Sequence, residues 1–223
     1  SSFPTRRSVE FRSFCSGPPK KQWCCAANRR ARRRLNAAIE RGELSAVAIS
    51  SGPGSFTGLR IGLAVAQGIA LGLAIPLLAI DSLAVLAETA RGQLADGSRL
   101  MAISDARMGQ YNAASYQLAG AELTVLAPPA LLDADALTEQ LAAHSIGTVV
   151  GELGGGVADQ LALPDGAVEL SELLPRAGAM LDTAERLWRA GSWPALEQVE
   201  LIYLRGSEAW QRPQPIVPVE SAQ

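Results

Sequence analysis

The stretch Ser-Gly-Pro-Gly-Ser-Phe-Thr-Gly-Leu-Arg-Ile-Gly at 51–62 constrains this chain more than any other. It follows an apolar run at 46–49 and opens a helix-like run that ends near Leu73. A strand, a glycine loop and a helix are written there in order. Gly52 and Gly54 permit backbone angles that a side chain would forbid, and Pro53 fixes its own φ, so the chain can turn sharply. Such a turn aims free backbone N–H groups at whatever precedes the helix, either an anion or another backbone.

The spacing argues against the common nucleotide fingerprints. Gly52, Gly54 and Gly58 give G-x-G-x-x-x-G, not the G-x-G-x-x-G of a dinucleotide fold, and no Gly-Lys-Ser/Thr follows. Within the helix, Gly58 and Gly62 share a face, and Ala64, Gly68 and Gly72 form a second stripe of small residues. Each mid-helix glycine costs about 1 kcal/mol relative to alanine. Several in one helix imply close approach of another backbone, either this chain's own sheet or a partner chain. The run 61–80 has the length of a membrane span, but Gly62, Gln67, Gly68, Gly72 and Pro76 interrupt it. It reads as a buried helix followed by a buried strand.

Charge divides the chain. Residues 1–41 hold eleven Lys and Arg against Glu10 and Glu40, a balance of +9, together with all three cysteines. Residues 42–223 hold nine Arg and twenty acids, a balance of −11, with no cysteine, so no disulfide framework or thiolate metal site is available there. Residues 1–34 lack both helical and strand periodicity. This atypical basic segment fits a nucleic-acid arm using Arg29, Arg30 and Arg32 to Arg34, a transit peptide, or non-native or disordered sequence.

From residue 35 the pattern alternates. A helix end at 35–41 precedes the strand at 46–49, and Ser55 or Thr57 can cap the helix that follows. Pro76 opens a strand at 77–80, and Asp81 or Ser82 caps a helix at 83–91. Strands are expected at 100–104, 111–118 and 122–126, the last two as a hairpin. A helix at 134–143, a strand at 148–150, a glycine loop at 151–156, a short strand at 168–170, a helix at 176–190 and a last strand at 200–204 follow. The expected organisation is an α/β chain with a first lobe at 35–99, a second lobe at 100–212 and a proline-rich tail at 213–223.

Catalytic constellations are thin. His144 is the only histidine and reads as a boundary residue between a helix and a strand. Nothing near Ser51 or Ser55 resembles a nucleophile elbow. Asp105, Arg107 and Gly109 lie in Asp-Ala-Arg-Met-Gly at the end of a strand. An acid there can serve a metal or a phosphate, but a turn with a local ion pair is the simpler expectation. No catalytic residue and no metal ligand set is assigned.

Taken in order, the glycine motif, Asp-Ala-Arg-Met-Gly-Gln-Tyr at 105–111 and Tyr-Leu-Arg-Gly-Ser-Glu-Ala-Trp at 203–210 resemble the bacterial TsaB (YeaZ) family over about residues 35–212. The resemblance implies an actin-like, Hsp70-like two-lobe fold of the ribonuclease H-like class. It implies a non-catalytic, cytoplasmic partner of a TsaD-type catalytic subunit. With that subunit and a TsaE-type ATPase, such a protein helps install threonylcarbamoyl beside the anticodon of tRNA, touching tRNA only indirectly. Any ATP or ADP would then belong to the assembled complex, and no membrane is implied. The interface with TsaD, or with a second copy, maps onto Phe56, Thr57, Gly58, Arg60, Ile61 and Ala64, and the glycine loop onto Gly52, Pro53, Gly54 and Ser55.

Two other functions compete on the residues alone: an actin-like ATP-binding enzyme using Asp105 and the glycine loops, and an RNA-binding module using the basic N-terminus. Family members also begin with strands and an Asp-Thr-Ser-type loop that residues 1–34 do not show. The first lobe is therefore expected to be incomplete, with an exposed sheet edge prone to aggregation.

Overall fold

The computed structural model describes residues 44–152, 161, 163, 166–171, 173–191 and 193–205. The basic segment, the helix end at 35–41, most of the glycine loop at 151–156, residues 206–210 of the third motif and the proline-rich tail lie outside the described residues.

The first unit is a strand, a crossover helix and a parallel strand. Strand β1 (Val47–Ser50) pairs in parallel with β2 (Leu77–Ile80), in register Val47 with Leu77 through Ser50 with Ile80. Helix α1 (Phe56–Leu73) makes the connection, as parallel pairing requires. Ser55 caps it by accepting from the Gly58 N–H, and Ala74 ends it in the left-handed region, its N–H bonded back to Ala70 and Leu71. Asp81 caps helix α2 (Ser82–Ala90), its carboxylate accepting from the Leu83 and Ala84 N–H groups at 2.6 and 3.3 Å.

A five-stranded sheet follows, in spatial order β5-β4-β3-β6-β7. Strands β3 (Arg99–Asp105), β4 (Tyr111–Ala119) and β5 (Glu122–Leu132) form an antiparallel meander. Helix α3 (Ala134–Ala143) leads to β6 (Thr148–Gly151), parallel to β3, and β7 (Val168–Ser171) is parallel to β6. Helix α4 (Met180–Ala190) comes last.

The packing follows the two-residue period of the central strands. Met101 and Ile103 of β3 and Val149 of β6 face Leu137, Leu141 and Ile146 at α3. Their neighbours Leu100, Ala102 and Val150 face Leu83, Leu86, Ala87 and Ala90 of α2. The small β1–β2 pair is covered on one face by α4 through Met180 and Ala184. On the other face, Ala66 and Ala70 of α1 meet Leu77 and Val199. Helix α2 serves both units, because Val85 packs with β2 while Leu86 packs with β3.

Several expectations are corrected. The helix in the apolar run is not buried: of its eighteen residues only Ala66 and Ala70 are. It is long and apolar enough to cross a membrane by length and composition, the one such helix among the described residues. Strand β5 continues past Leu126 to Leu132 through Pro128 and Pro129. An edge strand tolerates prolines because their missing N–H groups fall on the unpaired side or at a bulge, and the β4–β5 register shifts at that point. Helix α4 starts at Met180, not Arg176, because residues 177–179 form a separate turn. Residues 200–204 form no strand; Ile202 donates one backbone bond to Ser51 at 2.8 Å and no ladder develops.

Candidate functional site

The glycine loop is filled by its own chain. The Ser51 N–H donates to the Ile80 carbonyl, the Gly52 carbonyl accepts from the Ser82 N–H, and the Ser51 carbonyl accepts from the Ile202 N–H, each at 2.8 Å. Gly52 sits at φ +108°, followed by a cis bond to Pro53. A Cβ on Gly52 would stand 2.6 Å from the Ile202 carbonyl oxygen. The close approach that the glycines permit is therefore to backbone, at Gly52. Gly52 and Pro53 are buried, while Gly54 and Ser55 are exposed at the entry to α1.

Helix α1 shows the opposite situation. A Cβ on Gly62, Gly68 or Gly72 would meet nothing within 4 Å, so no backbone among the described residues requires a glycine there. Gly58 packs only on Ser55, its own cap. Phe56, Thr57, Gly58, Arg60, Ile61 and Ala64 are all exposed. Ile61, Val65 and Leu71 stand 52, 48 and 73% exposed. Further along, Ala64, Val65, Gly68, Ile69, Gly72 and Leu73 line an open groove of about 360 Å³. The helix thus presents an apolar, small-residue face that the described chain leaves open.

The first turn of α1 carries a compact cationic and aromatic cluster. The Arg60 guanidinium lies 3.7 Å from the centre of the Phe56 ring and 5.7 Å from that of Tyr203. The two rings are 5.6 Å apart and tilted by 49°. Arg60 Nε donates to the Tyr203 hydroxyl at 3.2 Å.

Asp105, Arg107 and Gly109 form a turn and not an open acid site. Asp105 Oδ1 accepts from the Arg107 N–H at 2.7 Å, and Asp105 Oδ2 pairs with Arg107 Nη1 at 3.1 Å. Arg107, Met108 and Gly109 all have positive φ, which reverses the chain between β3 and β4. Arg205 holds this turn from outside. Its Nη2 donates to the Ala106 and Arg107 carbonyls at 2.9 and 3.0 Å, and its Nη1 lies 3.0 Å from Met108 Sδ.

The segment 202–205, which opens the third motif, therefore touches the other two: Ile202 and Tyr203 meet the glycine motif at Ser51, Phe56 and Arg60, and Arg205 meets the turn. Sequence reasoning missed this role. Residues 203–205 were legible as part of a motif, but nothing in their pattern says what lies opposite them. His144 ends α3 as its C-cap, half-buried, with its carbonyl accepting from Arg99. Among the described residues, no group of three or more His, Cys, Asp or Glu can hold a metal ion.

These elements define a mixed α/β protein with a glycine-rich crossover helix, an architecture it shares with solved YeaZ structures. The structure of YeaZ from Pseudomonas aeruginosa superposes with a TM-score of 0.66 at 32% identity, covering 79% of this chain and 83% of that one. The model of the family described as TsaD, tRNA N6-adenosine threonylcarbamoyltransferase, matches residues 31–168. The tRNA threonylcarbamoyladenosine biosynthesis protein TsaB of Escherichia coli is 34% identical over 179 residues, 76% of this chain and 74% of its own. The protein of the same name from Bacillus subtilis is 41% identical over 86 residues, 39% of this chain and 36% of its own. The chain belongs to the TsaB (YeaZ) family of tRNA threonylcarbamoyladenosine biosynthesis proteins.

Proposed function

We propose that this chain is a non-catalytic, partner-binding subunit of the assembly that makes N6-threonylcarbamoyladenosine beside the tRNA anticodon. In this reading α1 is the face it offers to a TsaD-type catalytic subunit or to a second copy of itself. The observation that carries the proposal is the open face of α1, where Gly62, Gly68 and Gly72 have free space above them and exposed Ile61, Val65 and Leu71 beside them. Glycines that cost helix stability and meet nothing among the described residues suit the close approach of a second helix. Apolar side chains around them supply the area such a contact would bury.

The finer fold assignment belongs to the same proposal. The β1–β2 unit with α1 forms the described part of a first actin-like lobe, and the five-stranded sheet forms the second. The acidic body, at −11 over residues 42–223, suits indirect contact with tRNA through partners. A TsaE-type ATPase would join through the complex, with any ATP or ADP held there, and the working compartment is the cytoplasm.

The test is co-purification with a TsaD-type subunit. Gly68→Trp is the informative variant, because a Cβ there meets nothing within 4 Å among the described residues whereas Gly58 is packed against its cap. Loss of the complex with an unchanged melting temperature supports the proposal. A complex that survives Gly68→Trp sinks the assignment of α1 as the interface.

A further inference from the structure

We propose that residues Tyr203 to Arg205 act as a clasp that couples the first turn of α1 to the turn between β3 and β4, so that neither moves independently. The two turns belong to different units of the fold, one opening the helix that joins β1 to β2 and the other linking β3 to β4. The clasp spans them within three residues. At one end, Tyr203 accepts a hydrogen bond from Arg60 and stacks its ring near Phe56. At the other, one guanidinium engages two successive carbonyls and a thioether. One residue upstream, the backbone of Ile202 is pinned to Ser51 and lies over Gly52.

The chemistry of the two ends explains why these residue types serve. The guanidinium reaches both carbonyls through Nη2 while Nη1 lies against Met108 Sδ, so one planar group meets three atoms of the turn at once. The turn it holds needs support, because Arg107 and Met108 both sit in the left-handed region, at φ +68° and +60°. Such residues cost about 1 kcal/mol or more each, and persist where surrounding contacts over-determine them. The turn's own bonds run from the Arg107 N–H to Asp105, from the Ala106 N–H to the Gln110 carbonyl and from the Gln110 N–H to the Arg107 carbonyl, and Arg107, Met108 and Gly109 between them are exposed. Met108 at the tip is 83% exposed and contributes little burial to hold the turn in place. At the far end, Tyr203 gives Arg60 both a ring and an acceptor, which fixes the guanidinium over Phe56. A perturbation of α1 at Arg60 therefore reaches the turn through three consecutive residues, and a perturbation of the turn returns by the same route, as linkage requires.

Arg205 and Tyr203 are positioning residues in this account. The inference rests on contacts within one chain and not on the identity of any partner, so it stands or falls separately from the proposed interface. Amide hydrogen exchange of the full chain tests it. Arg205→Ala is expected to accelerate exchange at least tenfold at Ala106, Arg107 and Gln110, and also, several-fold, at Leu59 and Arg60 in α1. Arg60→Ala is expected to do the reverse and accelerate the turn. Met101 and Val149 in the central sheet serve as references and keep their wild-type rates. Arg205→Lys keeps the charge and one nitrogen able to reach the two carbonyls but loses the second nitrogen at Met108, and is expected to accelerate both turns less than Arg205→Ala. It also provides the reading if the alanine variant fails to fold. Acceleration confined to the mutated end, in either the alanine or the lysine variant, or uniform acceleration that includes Met101 and Val149 would each overturn the coupling.

Discussion

Two glycines show how differently one residue type is used. Gly52 has a positive φ and a carbonyl 2.6 Å from where its Cβ would be. Gly52→Ala is expected to cost about 2 kcal/mol or more in chemical denaturation, from the backbone angle plus the displaced Ile202 segment. Gly68 lies in mid-helix with open space above it among the described residues. Gly68→Ala is expected to stabilise the isolated chain by about 0.5–1 kcal/mol. Asp81 yields a pH prediction. Burial pushes its carboxyl above the usual 3.8, outweighing the two N–H groups that hold the ionised form at the start of α2. The native state thus keeps this proton at pH values where the unfolded chain has lost it. The contribution of Asp81 to stability is full below pH 3.8 and declines as pH rises through the raised value. Asp81→Asn keeps the capping oxygen and removes the buried charge. It is expected to match or exceed wild type by up to about 1 kcal/mol at pH 7, and to lose that advantage as pH falls through the raised value towards 3.8. Denaturation midpoints across pH 3–8 check this.

At the scale of elements, helices α2 and α4 are joined by a buried carboxylate. Glu88 accepts from Arg91 Nε at 2.5 Å and from Arg186 Nη2 at 3.2 Å, and Thr183 donates to it at 3.4 Å. Its side chain is 5% exposed, whereas the arginines retain more water. Glu88→Ala leaves two guanidiniums facing a cavity and is expected to cost about 2 kcal/mol, read from urea unfolding. Most elements were legible because their signals are local: Ser55 and Asp81 as caps, Pro76 before β2, and the alternating residues of β4. The rest depended on what lies across space. The apolar run of α1 reads the same whether it faces a core or a partner, so its exposure could not be seen in the sequence. Pro128 and Pro129 imply a strand end unless the strand is known to be an edge. The apolar pattern at 200–204 looks like a strand, yet Ile202 makes one backbone bond, to Ser51 in the glycine loop, and no ladder with β1 develops. The turn at Asp105 to Gly109 was foreseen as a local ion pair, and the contact from Arg205, nearly a hundred residues away in sequence, was not.

At the scale of the molecule, the glycine motif divides its labour. Its loop, from Ser51 to Pro53, knits the β1–β2 unit to α2 and to the segment at 202, so the loop is part of the scaffold. Its helix turns a glycine-rich apolar face away from that scaffold. If α1 is the proposed interface, stability and docking make opposite demands on the same positions: alanine in place of glycine favours the isolated helix and thickens the face that a partner would approach. The most direct measurement is calorimetric affinity for a TsaD-type subunit, taken with melting temperature, across wild type, Gly68→Ala and Gly68→Trp. The account predicts a melting temperature equal to or above wild type for the alanine variant, with affinity falling from wild type to alanine and binding lost with tryptophan. Equal affinity across all three, at unchanged stability, would contradict it.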